Sequence, residues 1–190
     1  MILVAGIAAS VLIQTMNSLE EQAMTTGMET IRDVSSGISV SHVSGWNDGS
    51  TINQIGIFIE TIAASEDLDL TYTYISLSDS TTTSILNYST SHFSSTVSSG
   101  LFETLDDTTL TASTYGIMVI RDVDESCTET SPVINTGDLV VLLVNTSQCF
   151  SGIDPRDDVM GTIEPEVGIS GVIAFSAPSA FTHAILDLQP

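Results

Sequence analysis

MILVAGIAASVLI, residues 1–13, is apolar or small at nearly every position and runs without a break into a patterned segment that reaches Val34. No proline interrupts it, and apolar residues return at Leu12, Met16, Leu19, Ala23, Ile31 and Val34, mostly at three-to-four spacing. The whole stretch therefore reads as one helix, with a polar gap around Thr26 and Gly27. Before Leu12 the residues are apolar all round, so this half must be buried on every side, in a bilayer or among other helices. A helix of 13 residues rises only about 20 Å, while a bilayer core takes roughly 20 residues, so the opening run does not span alone. A secretory signal peptide would carry a basic start and end at a small-residue cleavage site. Here the first cation is Arg32 and the pattern continues through Glu20 and Glu21. Met1 accordingly reads as a truncation point or an internal start within a longer apolar helix. Ala5, Gly6, Ala8 and Ala9 allow close backbone approach. Leu3, Gly6, Ala8, Leu12, Met16 and Leu19 are the expected helix-packing positions.

The 190 residues leave, beyond this helix, enough chain for one domain with its own core, so the expected division is 1–36 and 37–190. Acidic residues number 24 against 3 basic ones, Arg32, Arg121 and Arg156, for a net charge of −21. A chain so acidic cannot neutralise phosphates, which excludes nucleic acid as a partner. Self-repulsion of this size calls for high ionic strength, divalent cations or a saline habitat. Charged residues are only 14% of the chain, and Ser and Thr fill the surface, as in extracellular β-rich proteins.

From Ile38 the period drops towards two, after Gly37 as a helix-ending C′ residue. A first strand runs to Trp46, Asn47-Asp48-Gly49 supplies a tight turn, and the return strand, about 52–62, puts Ile55, Ile57 and Ile59 on one face. A third strand is expected over 68–77. Residues 78–100 are Ser/Thr-rich around Ile85-Leu86 and read as a weak edge strand or an exposed excursion. YGIMVIRDV (115–123) and LVVLLV (139–144) suit strands buried on both faces. Val172 to Phe175 and Ala184 to Leu188 complete about eight short strands. The fold class is α+β, a long N-terminal helix followed by an antiparallel immunoglobulin-like β-sandwich.

This plan resembles type IV pilin-like filament subunits. More specifically, IAASVLIQT, EEQAMTTGMETIRDVSSGI, the central IRDVDESC to PVINTGDLVVLLVN segment and the closing GTIEPEVGISGVIAFSAP and LDLQ are similar to archaellins, the archaeal flagellins. The resemblance leaves mainly residues 65–114 uncovered. It implies a structural subunit of an extracellular swimming filament, polymerised through its N-terminal helix with copies of itself and with other archaellins. The membrane is a station only before assembly. In that family a signal peptide is removed and the mature helix begins about ten apolar residues earlier than the equivalent of Met1. The rival with the same plan is an adhesive pilin-like or surface-layer component.

Among candidate sites, Cys127 and Cys149 would, in an exported protein, pair as a disulfide; two free buried thiols are the alternative. Asp122, Asp124 and Ser126 form a DxDxS run whose spacing can aim several oxygens at Ca²⁺ or Mg²⁺. Cys127 and Val133 stand where an EF-hand has glycine and glutamate, and an acidic loop in water is the plainer reading. No other cofactor is expected. Asp106-Asp107 and Asp157-Asp158 read as solvated pairs. Asn87 and Asn145 open N-x-[ST] sequons, of which Asn87 is the better exposed, and archaellins are often N-glycosylated. His42, His92 and His183 come without G-x-S-x-G, HExxH or a glycine-rich phosphate loop, so neither catalysis nor a small-molecule substrate is expected.

Overall fold

The computed structural model describes residues 2–63, 65–105 and 107–190. Met1, Ala64 and Asp106 lie outside the described residues, and with Asp106 so does half of the pair Asp106-Asp107. Helix α1 runs unbroken over Ile2–Ser35, 34 residues and about 51 Å at the usual rise. The polar gap at Thr26 and Gly27 does not interrupt it. There Thr25 and Thr30 turn their hydroxyls back to the carbonyls of Glu21 and Thr26, at 2.9 and 2.8 Å, which satisfies them inside the helix.

The head that follows contains β1 (Ile38–Asn47), β2 (Ile52–Thr61), β3 (Leu68–Asp69), β4 (Tyr74–Ser78) and β5 (Thr83–Ser94). Then come β6 (Thr114–Arg121), β7 (Val133–Ile134), β8 (Leu139–Asn145) and the short helix α2 (Thr146–Phe150). The chain closes with β9 (Asp158–Glu164), β10 (Gly171–Ser176) and β11 (Ile185–Gln189). Nine of these strands share one sheet in the order β10-β9-β4-β5-β6-β8-β2-β1-β11, while β3 and β7 form a small ladder of their own. Every neighbouring pair is antiparallel except β5 and β6.

The sheet rolls until its two edges meet. The Ala174 amide donates to Gln189 Oε1 at 2.9 Å, and Gln189 Nε2 donates to the Val172 carbonyl at 3.4 Å. One side chain thus occupies main-chain groups that an open edge would leave to a stray strand. The expected plan, a long helix followed by an antiparallel β domain, is the one found; the two layers of the domain belong to a single continuous sheet. Inside the roll lie Ile55, Ile57, Ile59, Ile75, Leu77, Leu86, Ile117, Leu142 and Ile163, all fully buried. The alternate residues Met118, Val141 and Leu143 point outward, where Phe102, Leu105 and Leu110 cover them in a second apolar cluster. That is why the runs at β6 and β8 are apolar on both faces.

Three local expectations change. Gly37 is not a left-handed cap: it bridges Ile169 at the start of β1, and a Cβ there would stand 2.6 Å from the Ile169 carbonyl. The strand expected over 68–77 divides into β3, a 3₁₀ turn over Leu70–Tyr72 and β4, because Asp69 accepts the Thr71 amide at 2.8 Å and starts a turn. The Ser/Thr-rich stretch is neither an edge nor an excursion. Its residues 83–94 are β5, in the interior of the sheet between β4 and β6.

Candidate functional site

From Leu3 to Val34 every residue of α1 is exposed. Leu3, Ile7, Leu12, Met16, Leu19 and Ile31 each expose between 59% and 83% of their surface. Gly6 and Ala8 lie in the same exposed run, and a Cβ added to Gly6 would meet nothing within 4 Å. By length and composition the helix could also cross a membrane.

Among the described residues, the head grips α1 only where the helix ends. Arg32 pairs with Glu66 at 3.2 Å, and the Ser36 carbonyl accepts the Ile169 amide at 2.9 Å. Ile38 donates to the Ile169 carbonyl at 3.0 Å and Ile62 to the Gly37 carbonyl at 3.1 Å. Gly168, at φ +100°, packs its Cα against Ser36 so closely that a Cβ has no room. Ser36-Gly37 is therefore threaded between two loops, which fixes the direction in which α1 leaves the head.

At the far end of β6 the acidic loop gathers three carboxylates. Oxygens of Asp122, Asp124 and Asp138 all lie within 4.8 Å of one another. The Ser126 amide donates to Asp122 Oδ1 and Asp124 Oδ1 at 3.3 and 3.2 Å, and the Cys127 amide to Asp122 Oδ2 at 3.0 Å. Asp138, 1% exposed, accepts the amides of Val123 and Asn135, both at 3.0 Å. Ser126 and the Asn135 side-chain amide, which donates to Asp124 Oδ2 at 2.8 Å, hold Asp124 below the usual carboxylate range. Ser126 itself mainly orders the loop, since its hydroxyl donates to the Val133 carbonyl at 3.0 Å. The spacing of the DxDxS run indicates Asp122 and Asp124; Asp138 arrives from the start of β8, through the fold rather than through any local motif.

Cys127 and Cys149 are both free thiols, which corrects the expected disulfide. Cys127 is buried in the loop that leaves the end of β6, with its amide tied to Asp122. Cys149 sits on α2, its sulfur directed at the Ala112 carbonyl, 3.9 Å away, before β6 begins. Separate anchors hold the two apart. Burial, with Asp122 and Asp138 nearby, pushes the Cys127 thiol up to about 12, so it behaves as a small apolar side chain.

Asn87 is exposed on β5. Asn145, 4% exposed, instead caps α2, accepting the Ser147 amide at 3.1 Å and the Ser147 hydroxyl at 2.6 Å. The histidines do not converge. His42 on β1 meets Ser44 and Asp187, His92 on β5 lies between Ser89 and Thr109, and His183 precedes β11 with its carbonyl on Asn47.

A long apolar helix that finds no cover among the described residues of its own chain, carried by a rolled sheet that closes its own core, defines a subunit whose helix is covered from outside, by other helices or by a bilayer. The sequence narrows that class: the archaeal-type flagellin family matches residues 1–175, and the chain belongs to it. Flagellin B2 of Methanocaldococcus jannaschii is 37% identical over 193 residues, covering 100% of this chain and 89% of that protein. Flagellin B1 of Methanococcus voltae is 36% identical over 197 residues, with the same coverage of 100% and 89%. The crystal structure of archaeal flagellin FlaB1 from M. jannaschii matches with a TM-score of 0.75 at 31% identity, covering 81% of this chain and 97% of that one. The archaeal flagellum of Methanospirillum hungatei strain JF1 shares the fold at a TM-score of 0.66 and 12% identity, covering 97% and 92%.

Proposed function

We infer that the chain is a structural subunit of the archaeal flagellar filament, extracellular once assembled, in which α1 packs with the helices of other copies. The carrying observation is the bare helix: its apolar residues, from Leu3 at 83% exposure to Val34 at 69%, have no covering partner among the described residues. Burying such a surface is worth roughly 25 cal/mol per Å², and helices can remove it from water only by bundling or by entering a bilayer. Head-to-tail contacts that do not close then extend the bundle as a helical array. The membrane holds the helix before assembly, and no catalytic step is needed; the separation of His42, His92 and His183 supports that reading.

Two features of the head extend the proposal. Asp122, Asp124 and Asp138 offer only hard oxygen donors, so Ca²⁺ or Mg²⁺ is the ion they suit, and each carboxylate oxygen keeps a lone pair beyond the amide it accepts. Of the two sequons, the exposed Asn87 is the glycan acceptor, because Asn145 is already committed to α2.

Ala8→Asp tests the central reading. In a helix bundle it leaves an unpaired buried carboxylate in every subunit, a penalty of several kcal/mol each. Cells making the variant should accumulate folded subunits and show no filaments by electron microscopy. Normal filaments would remove α1 from the filament core.

A further inference from the structure

The outward face of β10, β9, β4 and β5 carries an uncharged centre on an otherwise acidic head. The sheet register places Val172, Thr162, Ser76 and Ile85 in one row across it, and Ala174 and Met160 in the next. None of these side chains is charged. Met160, Val172 and Ile85 are 66%, 61% and 58% exposed, and a shallow hollow of about 360 Å³ lies between β4, β9 and β10. Polar groups are at the margins, where Asp158 accepts the Ser176 hydroxyl, Glu164 accepts the Ser170 hydroxyl, and Asn87, the sequon residue, follows two positions after Ile85 on β5, so that a glycan there borders the face rather than covering its centre at Met160 and Val172.

Another exposed apolar side chain lies where the head meets the assembly helix. Ile169, 52% exposed, bridges Gly37 at the end of α1 and stands two residues before β10. Exposed apolar side chains thus stand on both sides of this junction, Ile31 and Val34, each 69% exposed, on α1 and Ile169 on the head.

We propose that this face is a lateral contact between heads, occupied in the filament by a second copy of the chain. The proposal rests on the reading of the chain as a filament subunit. Copies that each carry a net charge of −21 repel wherever carboxylates face one another, so close approach selects an uncharged surface. With four strands about 4.8 Å apart and alternate residues about 6.8 Å apart, the patch covers on the order of 300 Å². A stable free-standing interface needs about 800 Å² per partner. The face therefore cannot pair free heads; it acts once bundled helices hold neighbouring heads at high effective concentration.

The methionines make the test, because each reports a different surface. Met118 is fully buried in the head, Met16, Met24 and Met28 are exposed on α1, and Met160 lies on the proposed face. Dilute peroxide would be applied to purified filaments, to detergent-solubilised full-length subunits and to the urea-unfolded chain, with oxidation read at each methionine by mass spectrometry. Met118 confirms that the heads are folded. The expected result is Met160 oxidising at least fivefold more slowly in filaments than in solubilised subunits. Equal rates in those two states overturn the proposal, and this includes equal protection in both by a glycan or by detergent. If Met16, Met24 and Met28 are protected in filaments while Met160 is not, only the lateral face fails. If the α1 methionines oxidise in filaments as fast as in the unfolded chain, the assembly reading fails with it.

Discussion

Asp48 and Asp79 build the same turn twice. Each accepts amides two and three residues ahead, from Ser50 and Thr51 in the β1–β2 hairpin and from Thr81 and Thr82 in the β4–β5 hairpin. At Asp79 burial works to raise the carboxyl, but the Thr82 and Thr81 amides and then their hydroxyls outweigh it and hold the group at about 2, against 3.8 for the free side chain. The folded state thus binds this proton more weakly than the unfolded state. Stability from Asp79 is complete above about pH 4 and is lost as pH falls through 2. Asp48, also well below the carboxylate range and held there first by the Ser50 hydroxyl, acts in the same direction. Acid unfolding of Asp79→Ala should consequently lose part of the wild-type pH dependence between about 4 and 2; an unchanged acid limb in denaturant titrations would contradict the assignment. The first turn is legible because Asp-Gly announces it. The second is not, since Ser80 takes φ +76°, a conformation its type rarely adopts.

At the scale of elements, the helix and the β6 and β8 runs are legible because long periodic or continuous apolar patterns leave few alternatives. The interior position of β5 is not, because Thr83–Ser94 carries little apolar signal and its burial comes from neighbours distant in sequence. The segment after it is harder still. Residues 95–113 hold only scattered apolar side chains with no periodic pattern, yet Phe102, Leu105 and Leu110 fold over Met118, Val141 and Leu143. Two details hold the flap down: His92 reaches the Thr109 hydroxyl at 2.5 Å, and Gly116 leaves room for His92, whose Cβ would be 2.9 Å from a Cβ on that glycine. Leu110 is only 1% exposed, so Leu110→Ala should cost about 2–5 kcal/mol by urea unfolding. Filaments should still form from that variant at permissive temperature, since the flap is remote from α1. A loss below about 0.5 kcal/mol would mean that the flap is not part of the folded core.

For the whole molecule the governing quantity is charge. Twenty-four carboxylates against three arginines leave a net charge of −21, and only one Arg–carboxylate pair, Arg32–Glu66, forms among the described residues. The repulsion is sharpest where Asp122, Asp124 and Asp138 converge. Two like charges 4 Å apart interact by about 4 kcal/mol at the effective dielectric of a protein surface. Sodium relieves this only by diffuse screening, whereas a divalent ion held between the oxygens removes it locally and favours the folded state by mass action. At a concentration about one hundred times its Kd, such an ion contributes about 2.7 kcal/mol, equivalent to a Tm shift of about 5–11 °C for a chain of this size. EDTA at fixed ionic strength should therefore lower the Tm by several degrees, and excess Ca²⁺ or Mg²⁺ should restore it. Asp124→Asn should abolish most of that response at little structural cost, because Asp124 is exposed while Asp138 remains anchored by the Val123 and Asn135 amides. If EDTA and the substitution both leave the Tm unmoved at constant ionic strength, the three carboxylates form an acidic loop in water, and the charge of the chain must be offset by salt alone.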